Sequence, residues 1–87
     1  MEVPYDEIYI STMREMDVCR DRIRKCEQVI AEMERARGIT TEEFLRLHAA
    51  GGMTGDTDYV RWYECSEGLR NWKERLQGFE EILKKRE

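Results

Sequence analysis

Two stripes of apolar residues, one near each end of the sequence, constrain the fold of this chain more than any other feature. In each stripe the apolar positions advance by alternating steps of three and four residues, and an α-helix places such positions along one narrow face. The sequence therefore predicts two long amphipathic helices. The first stripe runs from Tyr9 through Met16, Cys19, Ile23, Cys26, Ile30 and Met33, and the second comprises Trp62, Cys65, Leu69, Trp72, Leu76, Phe79 and Leu83.

The fold class that follows is all-α. We predict one domain over residues 1–87: an antiparallel, coiled-coil-like hairpin of two long helices at 5–37 and 57–85, with a short helix at 41–50 in the connection. The start of the first helix has two interpretations. Pro4 suits a first helical turn, whereas Thr12 and Glu15 form a later capping box, so residues 5–12 are either helix or an extended arm.

The end of the first helix and the start of the short one carry local signals. Arg35 and Arg37 favour the negative end of a helix, and Gly38 can adopt the left-handed conformation that ends it. Thr40 then provides an N-cap, with Glu43 three residues later to complete a capping box. These signals predict a sharp turn between the two helices.

The glycine-rich stretch GGMTGDTD at 51–58 is a second joint. A phosphate-binding loop of the Walker type requires Gly-Lys-Ser/Thr after a strand, but Gly55 is followed by Asp56 and no strand precedes it. We interpret Gly51 and Gly52 as the end of the short helix, with Asp56 or Thr57 as the cap of the next one.

Aromatic residues cluster where the last helix begins, and they point to several of its faces, whereas a surface helix is apolar on one face. Two covers are possible. The short helix can fold back, with Ile39 stapled to Phe44, and place Phe44, Leu45 and Leu47 against the cluster, or a partner protein can bind there. The candidate partner-binding residues are Phe44, Tyr59, Trp62 and Tyr63.

Charge and hydropathy exclude several classes of function. Charged residues make up 39% of the chain, the net charge is −4, and the two signs are interspersed, which disfavours a nucleic-acid partner. The acidic start MEVPYDEIYI does not fit a signal peptide, and no apolar run approaches the length of about 20 residues that spans a bilayer. We therefore expect a cytoplasmic protein without a membrane segment.

Metal, cofactor and catalytic residues are not indicated. Cys19, Cys26 and Cys65 lack CxxC spacing, and we expect them to be reduced thiols that act as small hydrophobic groups. We expect His48 to face water and the negative end of the short helix. Because no nucleophile and base form a recognisable pair, we predict a protein that is not an enzyme and holds no cofactor.

A second copy of the chain is an expected partner. The off-stripe residues Met13, Val18, Val29 and Ile82 can be buried by another hairpin, which would give a homodimeric four-helix bundle. Gly68 and Gly78 interrupt the last helix, and they either allow another backbone to approach or are simply tolerated.

The run GITTEEFLRLHAAGGMTGDTDYVRWYECSEGLRNWKERL resembles a group of small bacterial and archaeal helical proteins, some of them antitoxin-like members of toxin–antitoxin pairs. The resemblance implies a non-enzymatic protein-binding module that occludes a partner such as a toxin. The alternatives are a structural homo-oligomeric bundle without a separate partner and a weak nucleic-acid accessory protein that uses residues 20–25 or 84–86. The matching positions are Gly38, Thr40, Glu42, Glu43, Phe44, Gly55, Asp56, Asp58, Tyr59 and Trp62. The stretch 49–53 departs from the acidic linker of that group.

Overall fold

A computed structural model describes residues 4–52 and 55–85 of the chain. Three helices follow one another: α1 (Pro4–Arg37), α2 (Thr41–Ala49) and α3 (Thr57–Lys85). The helices α1 and α3 pack against each other in opposite directions, in a shape that measures 58 × 19 × 19 Å. The prediction of an all-α chain is confirmed for the described residues, which contain no strand. Within those residues no helix is both long enough and apolar enough to cross a membrane.

The helix α1 begins at Pro4, so residues 5–12 are helical rather than an extended arm. Proline is favourable at a helix start because its fixed φ suits the first turn and its missing N–H has no partner there. The buried stripe of α1 begins at Thr12, four residues before Met16, whereas Tyr9, where the stripe was predicted to begin, is 52% exposed. Thr12 was predicted only as a possible helix cap with Glu15, and it lies instead inside α1 with its side chain buried.

The turn between α1 and α2 has the predicted caps. Gly38 takes a φ of 72°, and its N–H donates to the carbonyl oxygen of Glu34 at 2.9 Å. The Glu43 N–H donates to Thr40 Oγ1 at 3.1 Å, while the Thr40 N–H donates to Glu43 Oε1 at 3.3 Å, which completes the capping box. Glu34 adds a bond that was not predicted, since its Oε2 accepts the Thr41 N–H at 2.8 Å. Four backbone N–H groups at this turn are therefore paired.

The connector between α2 and α3 also has the predicted helix end and helix start. Gly51, with a φ of 80°, donates its N–H to the carbonyl oxygen of His48 at 2.9 Å, and the Gly52 N–H donates to that of Leu47 at 2.9 Å. Asp56 rather than Thr57 caps α3, because its Oδ1 accepts the Asp58 N–H at 2.8 Å. Residues 53 and 54 of the connector lie outside the described part of the chain. Of the stretch 49–53, which differs in sequence from the acidic linker of the antitoxin-like group, the structure therefore describes residues 49–52.

The apolar residues form two regions with different coverage. The bend cluster consists of buried Met33, Phe44 and Trp62, with partly buried residues from all three helices around them: Val29, Ile30, Ile39, Leu45 and Tyr59. The shaft is the rest of the α1–α3 contact, residues 12–26 of α1 and 65–83 of α3. In the shaft, Thr12, Met16 and Cys19 of α1 are buried. The facing stripe of α3 is half-buried at Cys65, Leu69, Trp72, Leu76, Phe79 and Leu83.

The two glycines within α3 have different surroundings. A Cβ added to Gly68 would lie 3.7 Å from Cys26 Sγ, which is an ordinary van der Waals distance, so α1 contacts this glycine directly. A Cβ on Gly78 would meet no atom within 4 Å. Gly68 therefore marks a place where the helices touch, whereas Gly78 is a weak point of the helix without a close neighbour.

Candidate functional site

The bend cluster is organised around two stacked aromatic rings. The Phe44 ring of α2 lies parallel to the Trp62 indole of α3, with a centroid distance of 4.1 Å and an interplanar angle of 2°. Both side chains are 0% exposed. The indole Nε1–H donates to Thr41 Oγ1 at 2.9 Å, so the one polar group of the buried indole is paired. The stack and this bond fix the position of α2 across the end of the hairpin.

Tyr59 lies at the edge of the same cluster, on the side of the turn. Its ring centroid is 6.0 Å from that of Phe44, and the Arg37 guanidinium lies 4.9 Å above the ring. Arg37 Nη2 also approaches Asp58 Oδ2 at 3.2 Å and Asp56 Oδ2 at 3.6 Å. This arginine therefore connects the last turn of α1 to the first turn of α3, where its positive charge meets the two acidic side chains.

Tyr63 is the aromatic residue of the bend with an exposed face. It is 37% exposed, and its other side meets the imidazole of His48, with ring centroids 4.5 Å apart. The His48 ring also lies 5.9 Å from Phe44. The expectation for His48 holds in part: the residue lies in the last turn of α2, at the negative end of the helix, but its half-buried ring packs against Phe44 and Tyr63 instead of facing water.

Two aliphatic side chains of the bend are exposed as well. Val60 is 52% exposed and lies three residues before Tyr63, which makes the two residues neighbours on the surface of α3. Leu47 of α2 is 42% exposed, so its predicted contact with the aromatic cluster was wrong, whereas Phe44 and Leu45 make theirs. We name Leu47, Val60 and Tyr63 the bend surface.

The four candidate partner-binding residues thus occupy different depths. Phe44 and Trp62 are inside the bend, Tyr59 is half-buried and Tyr63 reaches the surface. Of the two predicted covers for the cluster, the short helix is the one that the structure contains. Leu47 and Val60 were not among the candidate residues, because their exposure depends on how α2 and α3 are rotated in the packed bend.

Three of the four basic residues within 20–25 form ion pairs with acidic residues of the same helix. Arg20 Nη1 lies 3.3 Å from Asp17 Oδ1, and Asp21 accepts both Arg24 Nη2 at 2.7 Å and Lys25 Nζ at 3.2 Å. The hydrogen bond from Lys25 lowers the pKa of Asp21, with smaller contributions from the two positive charges. This surface therefore alternates in charge instead of forming a basic stripe.

The cysteine and carboxylate side chains do not form a metal centre in the described ranges 4–52 and 55–85, where no three of the His, Cys, Asp and Glu residues are grouped to hold an ion. Glu67 instead pairs with Arg70 within α3, at 2.6 Å. Cys19 is buried, and Cys26 and Cys65 are half-buried and free. Burial raises the pKa of the Cys65 thiol, and the neighbouring Cys26 thiol adds to the rise.

Comparison with known proteins gives no match: no protein-family model, no curated protein and no solved structure matches this chain. The resemblance to antitoxin-like helical proteins therefore stays a prediction.

Proposed function

We propose that this chain is a non-enzymatic protein-binding module that uses the bend surface to cover a surface of a partner protein, as the antitoxin-like resemblance implies. The observation that carries the proposal is the exposure of Val60 and Tyr63 side by side on a tightly capped bend. Tyrosine is enriched at the centres of protein interfaces because it combines a large apolar ring with a hydroxyl group.

The packing beneath the bend surface supports this role. The His48 ring backs the inner side of Tyr63 at 4.5 Å, and the Phe44–Trp62 stack holds α2 in place. A side chain that is already immobilised loses less conformational entropy on binding, which leaves more of the contact energy for affinity. In this proposal Tyr63 contacts the partner and Tyr59 lies at the edge of that contact. Phe44 and Trp62 do not touch the partner but hold the bend surface in place from the interior.

The test is binding to the protein encoded by the neighbouring reading frame. Tyr63→Ser and Val60→Ser are expected to weaken the complex at least tenfold each, which corresponds to about 1.4 kcal/mol, because both remove exposed apolar surface without touching the buried stack. Ile10→Ser is the matched control, since Ile10 is 50% exposed on α1, far from the bend, and belongs to neither proposed contact. Titration by calorimetry measures all three, and equal affinities for all three would contradict the proposal.

A homodimeric four-helix bundle is the second proposal, and a separate observation favours it. The stripe of α3 is half-buried along the shaft, from Leu69 through Phe79 to Leu83, which leaves apolar area that a second hairpin can cover. Val18 and Ile82 are exposed beside this region, and Met13 is half-buried. Val29 is not available for the second copy as predicted, since it packs against the bend cluster of its own chain.

Sedimentation of two charge variants separates the dimer from the bend surface. Ile82→Glu is expected to weaken the dimer at least tenfold, because a carboxylate would enter the apolar contact between hairpins. Val60→Glu places the same charge at the bend and is expected to leave the dimer intact while it abolishes partner binding. A wild-type chain that stays monomeric at micromolar concentration would overturn the dimer and leave the partner proposal standing.

A further inference from the structure

Two of the three thiols of this chain face each other across the shaft. Cys26 lies on the stripe of α1 and Cys65 on the stripe of α3, and both side chains are half-buried. Cys19 shares the stripe of α1 but is fully buried, and it lies seven residues before Cys26 in the same helix. The pair at 26 and 65 therefore differs from Cys19 in both position and access.

The contact around Cys26 places its sulfur on the part of α3 that carries Cys65. Its Sγ lies 3.7 Å from the position that a Cβ on Gly68 would take, so the sulfur rests on the surface of α3 itself. Gly68 follows Cys65 by three residues, which places both on adjacent turns of one helix surface. The ion pair between Glu27 and Lys73, at 3.9 Å, joins α1 and α3 at the same level of the shaft. The Cys26 thiol also contributes to the raised pKa of Cys65, as neighbouring thiols do.

We propose that Cys26 and Cys65 are a redox-active pair that low-molecular-weight disulfides convert reversibly into an intrachain disulfide. One thiolate attacks a sulfur of the small disulfide, which forms a mixed disulfide and releases one small thiolate. The second protein thiolate attacks the protein sulfur of that mixed disulfide and releases the second small thiolate. The two protein thiols lose two protons and two electrons, and the small disulfide gains the two electrons.

The cross-link would join the middle of α1 to α3 and close the loop that contains α2 and both joints. A disulfide across a long loop restricts the unfolded chain more than the folded one, so the oxidised hairpin unfolds at a higher temperature than the reduced hairpin. Its formation needs only one accessible thiolate, because the second step takes place within the chain. Cys19 is excluded by its burial and by the distance of about 10 Å along the helix that separates it from Cys26.

Tryptic digestion of the full chain tests this assignment directly, since each cysteine falls on its own peptide: 15–20 for Cys19, 26–35 for Cys26 and 62–70 for Cys65. The wild-type chain is equilibrated with oxidised and reduced glutathione and then blocked with an alkylating reagent. We expect a monomer that has lost two hydrogens, peptides 26–35 and 62–70 joined by a reducible bond, and peptide 15–20 alkylated. Thermal unfolding of the same samples is expected to show a higher midpoint for the oxidised chain.

Three variants serve as controls. Cys26→Ser and Cys65→Ser are each expected to abolish the joined peptides and the shift in the thermal midpoint, whereas Cys19→Ala retains both. A mixed glutathione disulfide that never resolves, a bond that includes peptide 15–20, or cross-linking only between chains would overturn the assignment. The peptide map of the wild-type chain identifies the bonded cysteines even if a variant folds poorly. The outcome is independent of partner binding, since neither thiol belongs to the bend surface.

Discussion

Trp62 and Trp72 lie on the same stripe of α3, ten residues apart, but only the first is fully covered. At the bend, α2 lies across α1 and α3, so three helices enclose the Trp62 indole and Thr41 accepts its N–H. In the shaft, two helices meet alone, and Trp72 stays half-buried with the Arg75 guanidinium 5.0 Å above its ring. The third helix at the bend therefore completes the cover of Trp62, whereas α1 alone faces Trp72.

This difference matches the two proposals, one for each region. The bend has a closed interior and a small exposed rim, which suits a preorganised contact with another protein. The shaft has an open apolar stripe on α3, which suits association with a second hairpin along its length. The contrast between a closed bend and an open shaft can be tested with matched substitutions.

Replacing the two tryptophans gives the largest expected difference. Trp62→Ala removes a fully buried ring and should reduce the free energy of unfolding by about 3–5 kcal/mol, because a cavity remains in the bend cluster. Trp72→Ala removes a half-buried ring and should cost about 1–3 kcal/mol in a single hairpin. Urea unfolding followed by circular dichroism measures both.

Measurements at several protein concentrations distinguish the two tryptophan variants further. If a second copy covers the shaft, the effect of Trp72→Ala grows as the concentration rises through the dissociation constant of the dimer, whereas the effect of Trp62→Ala stays constant. Equal losses for the two variants at low concentration would contradict the difference in coverage between bend and shaft.

The second comparison concerns one buried hydroxyl group in each region. Thr41→Val leaves the Trp62 Nε1–H without its acceptor inside the bend and should destabilise the chain by about 1–3 kcal/mol. Thr12→Val makes the same change of shape on the buried stripe of the shaft, where a methyl group suits the apolar neighbours, and should change the stability by less than about 0.5 kcal/mol.

Indole fluorescence adds a specific measurement to the threonine pair. Trp62 should gain mobility and contact with water in the Thr41 variant, and its emission maximum should move to longer wavelength. An unchanged spectrum together with an unchanged free energy of unfolding would show that the bond to Thr41 does not hold α2 on α3.

The helices of this fold can be predicted from local signals in the sequence. The two stripes predict α1 and α3, and the capping box of Thr40 and Glu43 predicts the start of α2. The pattern of apolar residues did not predict the burial of Thr12, because threonine is polar. Its methyl group and small size nevertheless suit the contact between α1 and α3. Periodicity therefore predicted the elements and most of their buried faces.

The bend surface could not be predicted in the same way. The exposure of Leu47 depends on the rotation of α2, which is set by the Phe44–Trp62 stack and by the bond between Trp62 and Thr41. These are contacts between residues 18 or more positions apart, and local propensity carries no information about them. The aromatic cluster indicated that a cover was needed, but the packing alone determined which side chains stayed outside.

Replacing one glycine in each region gives effects of about 1 kcal/mol or less, with opposite signs. Gly38 ends α1 with a φ of 72°, where a side chain is strained, so Gly38→Ala should destabilise the chain by about 1 kcal/mol. Gly78 lies within α3 with no atom within 4 Å of an added Cβ, so Gly78→Ala should stabilise it by about 0.5–1 kcal/mol through helix propensity. Thermal unfolding should show the midpoint falling for the first variant and rising for the second. A lower midpoint for Gly78→Ala would indicate that another chain approaches α3 at this position, which would place the dimer contact on that side of the shaft.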